Sequence, residues 1–67
     1  MEFKHEELVE REIEIGRYLS RGFSLKMITE KTALSKKHLA AHIRNMMEKL
    51  KVQDLDALIK MLETMSL

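Results

Sequence analysis

The sequence predicts an all-α fold: four short helices of the helix-turn-helix kind around one small core. Three observations lead there. Apolar residues recur at three- and four-residue spacing in four separate stretches. Proline is absent and glycine occurs only twice in 67 residues, which disfavours a turn-rich β architecture. No segment alternates apolar and polar residues as a half-buried strand would. A chain of 67 residues is expected to form one domain over 1–67 with a modest core. That length leaves no room for a separate catalytic or ligand-sensing domain, and the lack of cysteine excludes disulfides and thiolate metal sites.

The first helix is expected from about Glu6 to Arg21, carried by Leu8, Ile15, Tyr18 and Leu19. Gly22 is placed to stop it in a left-handed cap. Gly16 inside it costs about 1 kcal/mol relative to alanine, a cost consistent with close packing there. Ser24 reads as the N-cap of a second helix, about Leu25 to Thr32, with Met27 and Ile28 on its apolar side. Ser35 caps a third helix, about Lys36 to Lys49, in which Leu39, Ile43, Met46, Met47 and Leu50 share one face. Asp54 caps a fourth, running to about Thr64, with Leu55, Leu58, Ile59 and Leu62 turned inward. Ala57, Met61 and Met65 form a second apolar stripe on that helix, and Val9 and Ile13 lie off the inward stripe of the first.

The net charge of +1 hides a strong segregation. Residues 1–14 sum to −4, residues 15–35 to +3, residues 36–51 to +4 and residues 52–67 to −2. The third helix holds most of the basic block, with His38 and His42 beside its lysines. A near-neutral chain with one basic side has a field that steers it to a polyanion. Residues Met1 to Glu7 are charged, unlike a secretory leader, and no apolar run approaches the ~18 residues of a membrane span. The expected compartment is the cytoplasm, with no membrane partner.

A connection of about three residues between the second and third helices forces a large crossing angle. In such a unit the second helix lies in the DNA major groove while the first crosses the backbone. Opposite the apolar face of the third helix lie Lys37, Ala40, Ala41, Arg44 and Glu48. Small alanines let a helix approach the groove floor, and an arginine can grip guanine with two hydrogen bonds. Lys36, Lys37, His38, His42 and Lys49 flank this strip as candidate phosphate contacts.

From Leu8 to Ile59, about three quarters of the chain, the sequence resembles the LuxR/GerE-type helix-turn-helix domain of bacterial transcription regulators. Arg11-Glu12-Ile13-Glu14-Ile15 is similar to that family's Arg-Glu-x-Glu-Val, and Gly22-Phe23-Ser24 to its Gly-Leu-Ser. Lys26-Met27-Ile28-Thr29-Glu30-Lys31 resembles Lys-Glu-Ile-Ala-Glu-Arg, and Leu34-Ser35 resembles Ile-Ser. Lys37-His38-Leu39, His42, Asn45-Met46 and Lys49-Leu50-Lys51-Val52 follow the family's Lys-Thr-Val, His, Asn-Ile and Lys-Leu-Gly-Val.

The resemblance implies that Ala40, Ala41 and Arg44 face the bases, and that two copies pair through the fourth helix, at Ala57, Met61 and Met65, on an inverted repeat. It also implies RNA polymerase recruitment or promoter occlusion; the off-stripe Val9 and Ile13 are a candidate dock for a regulatory domain or another protein.

The sequence departs from the family pattern at several places. Val9-Glu10 stands for Thr-Pro before the first helix, which points to an earlier helix start. Thr29 and Thr32 replace alanine and leucine, and Lys51 replaces the glycine after the third helix. His38 replaces a threonine that commonly touches phosphate, and Ala40 a base-reading lysine.

Catalysis is not expected. Glu12 and Glu14 are two apart on a helix and diverge, so helix-dipole pairing or an ion pair to a basic neighbour is the expected role. His38 and His42 lack a third zinc ligand nearer than His5, so neither a metal nor a cofactor is expected. Two alternatives share the layout: an adaptor that pairs with another regulator through the fourth helix, and a sigma-factor-like promoter-binding region.

Overall fold

The computed structural model of the chain describes residues 8–65. Its elements are α1 (Glu10–Ser20), α2 (Leu25–Thr32), α3 (Lys36–Leu50) and α4 (Leu55–Met65), with no strand among the described residues. The fold is all-α, as the apolar spacing predicts.

The start of α1 departs from expectation. Val9 is extended (φ −76°, ψ 164°) and caps the helix without a side-chain hydrogen bond, so the helix begins at Glu10 rather than near Glu6. Glu6 and Glu7 lie outside the described residues. Leu8 is buried in the core just before the helix. Leu8 and Ile13 have the spacing of a hydrophobic staple, and Ile13 packs against the core that holds Leu8. Leu8 therefore keeps its place in the core from outside the helix instead of lengthening it.

The other ends follow local chemistry. Gly22 adopts φ +88°; its N–H donates to Leu19 O and the Phe23 N–H donates to Tyr18 O. That pair of bonds is a Schellman motif, and the Tyr18 and Phe23 rings, 5.0 Å apart, close it with an aromatic contact. Ser24 Oγ accepts from the Met27 N–H, Ser35 Oγ from the His38 N–H, and Asp54 Oδ1 from the Ala57 N–H. All three N-caps stand where the sequence predicts them.

The core joins Leu8, Ile15 and Leu19 to Ile28, to Leu39, Ile43 and Met46, and to Leu58 and Leu62. Met27 is not part of it: 43% of its surface is exposed. The second inward position of α2 is Thr32, one turn after Ile28. Its hydroxyl donates to Ile28 O at 2.7 Å, which lets a polar side chain occupy a buried site. Met47, Leu50, Leu55 and Ile59 border the core half-buried.

Candidate nucleic-acid interface

Residues Ala33, Leu34 and Ser35 make the whole connection between α2 and α3. Ala33 takes the left-handed conformation (φ 61°) and its N–H donates to Thr29 O, ending α2 sharply enough for α3 to leave at a new angle. Arg11 of α1 reaches across to the end of α2, where its Nη1 donates to Thr32 O at 3.3 Å and pairs with Glu14 Oε1 at 3.3 Å. A cation on a terminal carbonyl of a helix meets the negative end of its dipole.

With its apolar face on the core, α3 exposes Lys36, Lys37, His38, Ala40, Ala41 and Arg44 to solvent. Lys36 and Lys37 lie in its first turn, which holds no acidic residue. Lysines there oppose the helix dipole, while the free N–H groups and the dipole together favour an anion. The first turn of α2 has the same character: it carries Lys26 and no acid. Lys26 adds a cation outside the α3 strip, and its signal in the sequence is a lysine two places after an N-cap serine.

His42 and Lys49 have partners within the protein. Lys49 Nζ donates to Glu12 Oε1 at 3.0 Å, and His42 Nδ1 lies 3.1 Å from Glu12 Oε2. A carboxylate only accepts, so the proton of the imidazole sits on Nδ1. Glu12 is 2% exposed, whereas the His42 and Lys49 side chains retain contact with water. Burial by itself raises the pKa of Glu12. The hydrogen bonds from His42 and Lys49, the charge of Lys49 and the Val9 N–H outweigh it and hold the carboxyl below its ordinary 4.5. Glu12 thus clamps α1 to the middle and the end of α3, while Glu14 pairs with Arg11 on the surface.

The remaining candidates are spread over other surfaces. Ala57 and Met61 are half-buried on α4; Met65, the end of that stripe, packs against the core edge. Val9 is 51% exposed at the start of α1, and Ile13 borders the core. Among the described residues no group of three or more His, Asp or Glu could hold a metal ion, and His5 lies outside them. No helix described is long and apolar enough to cross a membrane.

Among curated proteins and among solved structures, no match to the chain was found. The family model of bacterial regulatory proteins of the luxR family matches residues 6–62, which takes in all four helices nearly to the end of α4. With a tight three-residue turn, a basic exposed α3 and that match, the chain belongs to the luxR family of helix-turn-helix DNA-binding regulators.

Proposed function

We propose that this chain binds double-stranded DNA with α3 in the major groove and acts as a dimer on an inverted repeat. The observation that carries the reading is the exposed strip of α3. It has a smooth centre, Ala40 and Ala41, with Arg44 one turn on and Lys36, Lys37 and His38 ahead of it, all solvent-exposed. Arg44 supplies a bidentate donor for a base edge, and the lysines and His38 supply phosphate contacts. His42 and Lys49 are proposed to reach the backbone only with the part of each head group that Glu12 leaves in water. Dimerisation is proposed through Ala57 and Met61 of α4, with Met65 as the rim where the stripe turns onto the core. Two copies related by a two-fold axis would set their α3 helices into successive major grooves, about 10 bp apart.

Titration on a full inverted repeat and on a half-site, over a range of salt, tests this. Affinity should fall with a log–log slope of about −0.9 for each phosphate neutralised. Met61→Glu should abolish cooperativity on the full site and leave half-site binding intact, with the fold checked by circular dichroism. Binding insensitive to salt would remove the interface reading. Unchanged cooperativity would move the dimer contact elsewhere.

A further inference from the structure

The exposed strip has an apolar component that its charges do not explain. Ala40 and Ala41 are exposed at its centre. Beside them a shallow groove runs between the start of α2 and α3, lined by Leu25, Thr29, Leu39, Ala40 and Ile43, with Lys26 and Lys36 along it. Leu25 is 43% exposed, directly behind the N-cap serine of α2.

An alanine side chain neither donates nor accepts a hydrogen bond. A base pair facing Ala40 or Ala41 can therefore be distinguished only through an apolar group on its edge. The major groove of unmodified duplex DNA offers one such group, the 5-methyl of thymine.

We infer that Ala40, Ala41 and the adjoining Leu25 groove read thymine 5-methyl groups, so that the preferred duplex carries thymine at the positions facing them. The inference rests on the DNA-binding reading and adds to it the chemistry by which bases are chosen. Charge complementarity selects this occupant over an apolar peptide. Lys26 and Lys36 line the groove and Lys37 lies beside them, so whatever fills it must carry apolar groups inside an anionic frame. Duplex DNA has that arrangement, with thymine methyls between two phosphate rows. Arg44 follows Ala40 by one helical turn, about 6 Å of rise, which corresponds to about two base steps. The base read by Arg44 should therefore lie within about two steps of the methyl-read thymine.

The experiment uses the 67-residue chain and synthetic DNA. Selection from a random duplex pool gives the preferred sequence. Each preferred thymine is then replaced by deoxyuridine, which removes the methyl and keeps every hydrogen-bonding group. Because the change is in the DNA, the fold of the protein is untouched. Loss of one methyl contact should raise Kd by about fourfold at the positions read and leave the others unchanged. Ala40→Gly should shrink the thymine-to-uracil ratio at one position; Ala40→Ser, which keeps the Cβ, should shrink it less. Methyl resonances of Leu25 and Ala40 should shift on titration with the duplex.

A ratio of one at every thymine overturns the inference, and so does salt-sensitive binding without any preferred sequence; DNA binding itself survives both results. Shifts confined to the lysines, with Leu25 and Ala40 silent, overturn it as well and leave the groove open to a protein partner. Failure to bind any duplex at any salt overturns both this inference and the reading beneath it.

Discussion

The first turns of α1 and α4 carry charge as an isolated helix prefers, and the first turns of α2 and α3 carry it the other way round. The first turn of α1 holds Glu10 and Glu12, and that of α4 holds Asp56. Each acid at the positive end of a dipole contributes about 0.3–1 kcal/mol. The first turns of α2 and α3 hold no acid, but Lys26, Lys36 and Lys37. None of the ion pairs among the described residues involves these three lysines. The helix ends differ in the same sense. α1 closes on a glycine at positive φ, whereas α2 and α3 are followed by Ala33 and Lys51 in that conformation. The two helices that form the motif therefore carry first-turn costs that α1 and α4 avoid, and end costs that α1 avoids. Such a distribution is poor for a lone fold and suits a fold completed by an external anion.

The largest way to break this contrast is through Glu12, where α1 draws the far end of α3 inward. Glu12→Ala removes the acceptor of the Lys49 ammonium and of the His42 imidazole N–H and should cost about 2–3 kcal/mol, read as a lower urea midpoint. A change within experimental error would show that Lys49 and His42 are satisfied by water alone. The pair also has a pH signature. The folded state holds this carboxyl below its ordinary 4.5, so the unfolded chain takes up the proton more readily. The contribution is complete above the ordinary carboxylate range and is lost as pH falls from there through the lower folded value. Glu12→Gln should flatten that part of the stability–pH curve. An acid limb of unchanged slope would assign it to other carboxylates.

Next in size is Arg44→Ala. It should cost about 1–3 kcal/mol at one base position and leave stability unaltered, measured by binding to operator variants beside thermal melts. A uniform loss over all sequences would make Arg44 a phosphate contact instead.

A smaller effect is expected at Lys51. Its φ of 60° follows α3 in a Schellman motif, with Lys51 N–H donating to Glu48 O and Val52 N–H to Met47 O. Lys51→Gly should stabilise the fold by about 0.5–1 kcal/mol, relief of left-handed strain less the entropy of glycine. A loss in chemical denaturation would mean that the lysine stem contributes packing.

The smallest change in stability sharpens the comparison most. Lys37→Glu restores the sign that the α3 dipole prefers and should stabilise the free chain by about 0.3–1 kcal/mol while weakening every DNA sequence. Stability and affinity falling together would show that Lys37 serves the fold.

Much of this was legible along the chain. The three N-caps Ser24, Ser35 and Asp54, the stop at Gly22 and the α2 boundaries follow from chemistry within a few residues, and local hydrogen bonds decide them. The inward stripes of α3 and α4 follow from periodicity alone. Exposure of Lys36, Lys37, Ala40, Ala41 and Arg44 follows from the same geometry, because they lie away from the apolar face.

Two positions show where one-dimensional reading stops. Thr32, a polar residue, took the core slot that hydrophobicity assigned to Met27, because its hydroxyl could bond one turn back and the helix phase put it inward. Leu8 kept its burial but left the helix, because Val9 is extended and the chain enters α1 only at Glu10.

The sequence by itself determined the helical class, the caps, the basic block and its position on α3. Only the tertiary structure decided which lysine of α3 is paired with Glu12. Lys37 and Lys49 are the same residue on the same helix, and Glu12, 37 positions before Lys49, separates them. No local pattern encodes that meeting. It arises when α1 packs across α3 and brings one buried carboxylate within 3.0 Å of one ammonium and out of reach of the other.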